Sequence, residues 1–318
     1  MDHIEGTILA TPHGQEKYDT VCKELLSNRQ IMSRVLKRFA KEYKNCSTDE
    51  IEKLYIEPET VFISKEAVER NQTNRNIEGV NTEDRTINEG TIYYDVMFDA
   101  IYPQSEKQMM GMIINVEAQN DFYPGYEIET RGIYYAARKL SSELRTINRH
   151  TNYSELKKVY SIWICMGENV PEKEANTVSL YEVEKNDIMG SVERSVECYE
   201  LLSVVIIRIG NKTESKDPVL ALMQVLFSKQ ISKEEKLSRL KQMGFRMDDP
   251  LVKGVETMCT LGQGLVESTA KQVTKQVTKQ MVINMYKKQI PLKKIAEIAD
   301  VSIVDIKSWL DEDAITPE

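Results

Sequence analysis

The sequence predicts an α/β fold, a mixed sheet flanked by helices, with an all-helical region after it. Three observations predict this. Residues 91–119 read as two β-strands, TIYYDVMFDA and MGMIINVEAQ, joined by the turn-rich link IYPQSEKQM. Residues 157–167, KKVYSIWICMG, form a nearly unbroken apolar, β-prone run of the kind that sits in the middle of a sheet covered on both faces. Beyond the polar stretch NKTESKDP (211–218) the spacing turns helical to the end. Strand, strand, helix, strand is the order of an α/β core. The division expected is 1–212 for the sheet domain and 213–318 for the helical region.

Residues 1–18 read as a loose segment with Pro12 and Gly14. Val21, Leu25, Leu26, Ile31, Val35, Leu36 and Phe39 then recur at spacings of three and four, interrupted near residues 27–29, which predicts two helices. The second carries Arg34, Lys37, Arg38 and Lys41, either contacts for a DNA backbone or a solvated helix face. STDE at 47–50 is a capping box opening a short helix. Residues 66–90 are polar and aperiodic, and NTEDRTINEG reads as a loop entering the first motif strand.

A strand has a side-chain period of two. In the first motif strand Tyr93, Asp95, Met97 and Asp99 share one face, with Ile92, Tyr94, Val96, Phe98 and Ala100 on the other. In the second, Ile114, Val116 and Ala118 alternate with Asn115, Glu117 and Gln119. Adjacent strands then bring Asp95 and Glu117 within reach of one cation. A hard divalent ion such as magnesium takes one or two carboxylates together with water and phosphate oxygens. Acids inside an apolar strand are costly unless paired or bound to metal. The plainer reading is an amphipathic strand whose polar face meets water.

The spacing Asp95 … Glu117-Ala118-Gln119 resembles the PD-(D/E)XK nuclease signature in the variant that ends in Gln. The blocks YDVMFDA, INVEAQND, RGIYYAARKLSS and YSELKKVYSIWICM, in that order over about residues 80–167, resemble one branch of it, the transposase-like, recombination-promoting nucleases. The resemblance implies a restriction-endonuclease-like core and hydrolysis of DNA phosphodiesters. It implies Mg2+, or Mn2+ in its place, held by Asp95 and Glu117. Gln119 then positions or activates water. It stands where Lys is commoner and has no charge to offer a hydroxide. In this fold an acid from the preceding helix sometimes joins the site, a place that Glu78 or Glu89 would fill.

After Gln119, NDFYPGYEI makes a turn, and residues 127–144 read as a helix with Ile128, Ile133, Ala136, Ala137, Leu140 and Leu144 as its apolar stripe. Arg131, Tyr134 and Tyr135 lie in its first half, close to where Glu117 and Gln119 emerge. An Arg fork suits phosphate oxygens, and a tyrosine would order substrate or water. The alternative is packing and a salt bridge. Trp163 reads as core. Residues 177–184 make a further strand, with Val178 and Leu180 on one face and Tyr181 and Val183 on the other. LLSVVIIRIG makes another, closed by Gly210.

The C-terminal region reads as helices over 219–227, 232–243, 250–261 and 267–288. The last carries the repeat KQVTKQVTKQM, with Val273, Val277 and Met281 and also Lys271, Lys275 and Lys279 every fourth residue. No acid occurs between Ala270 and Lys294. This helix suits DNA phosphates, self-association along its aliphatic stripe, or a spacer role. The end, IPLKKIAEIADVSIVDIKSWL, resembles a helix-turn-helix with Ile295, Ala296, Ile298, Val301, Ile306 and Leu310 inside. Its second helix carries Asp305, Asp311 and Glu312 beside Lys307 alone, poor chemistry for reading DNA.

A net charge of −8 and a pI near 5.3 argue against a general nucleic-acid coat, though not against a local basic surface. Five scattered cysteines with no CxxC spacing suggest neither a disulfide framework nor a zinc site, and fit a reducing cytoplasm. The longest aliphatic run, near 201–209, is too short for a membrane span. The expected function is a magnesium-dependent DNA endonuclease. The alternative is a catalytically decayed DNA-binding or assembly protein on the same fold. Expected partners are DNA and a second copy through the C-terminal helices, with no membrane.

Overall fold

A computed structural model describes residues 12–56, 83–86, 90–93, 95–104, 108–119, 124–147, 153–166 and 170–312. Helix α1 (Pro12–Leu26) starts earlier than the sequence suggests, on a proline suited to a first turn. Helix α2 (Arg29–Phe39) follows at the expected break, where the Asn28 side chain accepts the Gln30 N–H and caps it. Two cations of α2, Arg34 and Arg38, have partners in the fold. Arg34 donates to the carbonyls of Gln30 and Gly244 and lies 3.9 Å over the Phe245 ring. Arg38 bonds Asp217 at 2.6 Å, and just beyond the helix Lys41 pairs with Glu182 and Glu200. Arg34, Arg38 and Lys41 thus face neighbouring segments, where the sequence reading offered a solvated face or DNA contacts. Ser47 and Glu50 form the capping box of the next short turn.

Strands β1 (Glu83–Thr86) and β2 (Gly90–Tyr93) pair as a separate antiparallel ribbon, so the stretch expected as loop is partly strand. The first motif strand is not continuous either. β2 ends at Tyr93, Asp95 lies in a bend, and β3 (Val96–Gln104) begins afterwards. The chain changes ladder there: β2 belongs to β1, whereas β3 pairs with β4 (Gln108–Gln119) from Val96↔Val116 to Gln104↔Gln108. The strands therefore run through most of the expected link.

With β5 (Lys158–Cys165), β6 (Thr177–Glu182) and β7 (Leu202–Arg208), the main sheet has the order β3-β4-β5-β7-β6. The inner strands β4, β5 and β7 are parallel, and the outer two are antiparallel to their neighbours. β5, whose residues are all buried, is central as its apolar run requires.

Helix α3 (Ile128–Ile147) covers one face. Its Ile128 and Ala136 pack with Met97, Val159, Trp163, Cys165, Val204 and Ile206. Gly132 allows the approach: a Cβ there would lie 2.8 Å from Val204 Cγ1 and 3.0 Å from Trp163 Nε1. The buried line runs Ile128, Gly132, Ala136, and Ile133 and Ala137, expected inside, are exposed. The helix is rotated to set its glycine on the sheet.

The opposite face carries Phe98, Tyr160, Ile162, Ile164, Val205 and Ile207, all buried. It also holds a buried charge network. Lys158 sits 2.8 Å from Glu42, Tyr160 OH donates to Glu42 at 2.8 Å, and Ser203 donates to Glu182 at 3.0 Å. Burial and the neighbouring Glu42 push the Tyr160 phenol well above its ordinary value.

Helix α4 (Pro218–Phe227) is capped by Asp217, and α5 (Lys233–Gln242) by Ser232. Helix α6 (Asp249–Lys287) is one helix where the sequence reading places a break in residues 262–266. Glycine in a helix costs only about 1 kcal/mol relative to alanine, which the flanking turns absorb. Helices α7 (Leu292–Ala299) and α8 (Ile303–Glu312) follow, joined through left-handed Asp300 (φ 51°), with the Ser302 hydroxyl accepting the Asp305 N–H.

The chain divides into two compact units, Tyr18–Cys259, and Met1–Lys17 with Thr260–Glu318. The latter has its own core of Val282, Ile283, Ile295, Ile306, Trp309 and Leu310. Ile298, expected inside, is 51% exposed. Among the described residues no helix is long and apolar enough to cross a membrane.

Candidate functional site

The candidate site lies where the β3–β4 ladder ends. Its last partner pair is Val96↔Val116. Two residues further along β4, the Ala118 N–H donates to Asp95 Oδ2 at 2.8 Å. The carboxylate therefore caps the open end of the ladder and is fixed beside the backbone that links positions 117 and 119. Its other oxygen, Oδ1, lies 2.8 Å from the Lys23 ammonium on α1. Further along β3, Lys157 bonds Asp99 at 2.8 Å, so this second acid is paired rather than directed at the site.

On the far side of β4, Glu117 stands opposite Trp163 and Gln119 opposite Cys165. Partners in register share a sheet face, so positions 117 and 119 fall on the face under α3. The side chains of Glu117 and Gln119 lie outside the described residues, as do Glu78 and Glu89. The parallel strands β4, β5 and β7 end side by side at Gln119, Cys165 and Arg208. In open α/β sheets, ligands gather beyond such carboxyl ends.

Helix α3 brings Arg131 and Tyr135 to the same place. Arg131 donates to Tyr126 OH at 2.6 Å and to Tyr135 OH at 2.8 Å. Its guanidinium lies 4.9 Å from the Tyr135 ring centroid and 5.3 Å from that of Trp163, the register partner of Glu117. A cation over aromatic faces is held by their quadrupoles, so this arginine is pre-oriented. Tyr134 is more exposed, its ring 6.5 Å from that of Tyr135. At the end of β7 Arg208 pairs with Glu129 and bonds Ser179 at 2.9 Å, tying α3 to the strand ends. Burial pushes the Cys165 thiol up to about 12, although Arg208 acts the other way, so this cysteine is an inert wall.

Two members of this arrangement escape the sequence reading. Tyr126 precedes the helix, and its bond to Arg131 depends on the turn before α3. Lys23 comes from a distant part of the chain with no local signal. The Arg131–Tyr135 pair, by contrast, has ordinary i,i+4 helical spacing.

Among the described residues no three His, Cys, Asp or Glu side chains gather as a metal site. The donor chemistry at Asp95 nonetheless fits a hard divalent ion: a carboxylate at a strand end, oriented by a backbone donor and only partly exposed.

A mixed sheet with an acid at the end of its antiparallel pair, and a helix crossing the following parallel strands, defines a restriction-endonuclease-like fold. Residues 72–247 match the family described as PD-(D/E)XK nuclease family transposase. The chain belongs to that family. No curated protein and no solved structure matches it.

Proposed function

We propose that this chain is a divalent-metal-dependent DNA endonuclease of the transposase-like, recombination-promoting kind. The observation that carries the reading is the Asp95–Ala118 bond, which fixes a carboxylate beside the Glu117 and Gln119 positions. Asp95 and Glu117 would hold Mg2+, or Mn2+. Such an ion, when bound, supplies Lewis-acid stabilisation of charge on phosphate oxygens. Gln119, with an amide oxygen that accepts and an NH2 that donates, orients the attacking water. The water oxygen forms a new bond to phosphorus as a bridging P–O bond of the backbone breaks. The departing oxygen takes up a proton. Arg131, with Tyr134 and Tyr135, contacts the DNA phosphates beside the site.

In this reading residues 1–212 carry the chemistry and 213–318 add DNA affinity or self-association inside the cytoplasm. Val277 and Met281, exposed on α6, are available for contact with a second copy. The second reading, a non-cleaving DNA-binding or assembly protein, draws on the uncharged Gln119.

Relaxation of supercoiled plasmid with Mg2+ or Mn2+ separates them. The wild type is expected to nick or cut the plasmid. Asp95→Asn keeps an acceptor for the Ala118 N–H but loses the charge, and Glu117→Gln likewise keeps shape. Each is expected to lower the rate about a hundredfold or more, the scale of losing one charge-stabilising contact. No cleavage by the wild type, with DNA still shifted in a gel, would favour the binding protein. Equal cleavage by both variants would sink the assignment.

A further inference from the structure

Phosphodiester cleavage spreads negative charge over the phosphate oxygens, and catalysis consists mostly of positioning and electrostatic stabilisation. Fixed positive charge is therefore valuable beside the reacting phosphate. Position 119 offers none. Arg131 keeps its charge and is oriented on α3 by two phenols and two rings, and Lys157 pairs with Asp99. The ammonium in direct contact with Asp95 is that of Lys23, 2.8 Å from Oδ1.

Several features hold Lys23 there. It lies in the last turn of α1, whose buried residues include Cys22, Leu25 and Leu26, so the backbone at Lys23 is anchored on both sides. The negative end of the helix dipole favours a cation at this position. The Lys23 side chain keeps 38% exposure and that of Asp95 18%, so the pair opens to solvent, where a phosphate can reach it. Asp95 itself is fixed independently through Ala118, so Lys23 is not its sole anchor.

We propose that Lys23 is the cationic catalytic residue of the Asp95–Glu117 site, contributed by the N-terminal helix and contacting a non-bridging oxygen of the scissile phosphate. The proposal rests on the nuclease reading above. It differs from two rival roles by what removal of the charge does. An ammonium that merely plugs the metal position would, once removed, leave cleavage faster. An ammonium that only holds Asp95 in place would, once removed, weaken metal binding and cleavage together.

The test compares full-length wild type, Lys23→Met, Lys23→Gln and Lys23→Arg in plasmid relaxation at saturating Mn2+, with Mn2+ affinity measured separately on each. Lys23→Met and Lys23→Gln are expected to cleave about a hundredfold or more slowly, with Mn2+ affinity unchanged or tighter. Lys23→Arg, which keeps the charge, is expected to recover at least about a tenth of the wild-type rate. If one neutral variant fails to fold, the other and Lys23→Arg still decide the outcome.

Cleavage by either neutral variant at the wild-type rate or faster would overturn the proposal. So would loss of Mn2+ binding in step with cleavage, or an arginine variant no better than the methionine one. Wild type that does not cleave at all would bring down the nuclease reading, and this inference with it. Active wild type with equally active neutral variants would bring down only the inference.

Discussion

Lys236 is fully buried, and its ammonium donates to the Leu226 carbonyl at 2.7 Å. Burial lowers its pKa below the ordinary 10.5, with the Cys259 and Cys22 thiols acting weakly the other way. The sign of the consequence is fixed. Between the lowered folded value and 10.5 the unfolded chain holds the proton more tightly, so the wild type gains stability as pH rises through that window. The buried thiols complicate the raw curve, because Cys165 retains its proton up to about 12 when folded and so contributes a loss above its ordinary 9.0. The difference between wild type and Lys236→Met removes that background. In urea unfolding from pH 7 to 10, this difference is expected to shift toward the wild type with rising pH, by at most about 1.4 kcal/mol per unit. Parallel stability curves would mean that Lys236 stays charged inside the fold. Nothing in KEEKLSRLKQ marks its Lys236 as buried, although it stands one turn before the buried Leu240. Tertiary contacts make it so: the Leu226 carbonyl of α4, Cys22 of α1 and Cys259 of α6 surround its ammonium. The same holds for Lys23. Its sequence neighbours identify a helix, but its partner is set by tertiary contact.

Elements were more legible than contacts, wherever a local physical signal existed. The break between α1 and α2 is written in residues 27–29, and the capping box at Ser47 in four letters. The centrality of β5 follows from its unbroken apolar run. Alternation alone missed the bend at Asp95, because the pattern runs on through Tyr94 while the hydrogen bonds change ladder. It also missed the rotation of α3, which Gly132 governs. Helical propensity favours Gly132→Ala by about 1 kcal/mol. The new methyl group, however, would meet Val204 Cγ1 at 2.8 Å and the Trp163 indole, itself bonded to Ser161 at 2.9 Å. Overpacking of this kind costs about 1–3 kcal/mol. Gly132→Ala is therefore expected to lower stability by up to about 2 kcal/mol, read as a fall in urea midpoint. A variant more stable than wild type would show that α3 can lift off the sheet at no cost.

At the scale of the whole molecule, the family match at 72–247 falls inside the compact unit Tyr18–Cys259. That unit also contains α4, α5 and the start of α6. The sequence reading divides the chain at 212–213, where composition turns polar and then helical. The compact unit runs to residue 259, and α2 and the segment after α5 share bonds within it, such as Gln30 to Asp248 at 3.0 Å and Arg246 N–H to Gln30 at 2.8 Å. Contacts of this range leave no periodic trace. On the proposed reading an acidic chain meets DNA, which requires its cations to be concentrated locally. The site does so with Lys23 and Arg131 beside the proposed carboxylate pair. On the proposed reading, Asp95 and the Glu117 position build a divalent-metal site at the end of the β3–β4 ladder. Titration of Mn2+ into the full-length protein, followed by loss of the free-ion electron paramagnetic resonance signal, tests it without any need for turnover. Wild type and Lys23→Met are expected to take up the ion, and Asp95→Asn and Glu117→Gln to leave it free at the same concentration. Undiminished uptake by both carboxylate variants, or none by the wild type, would contradict the claim.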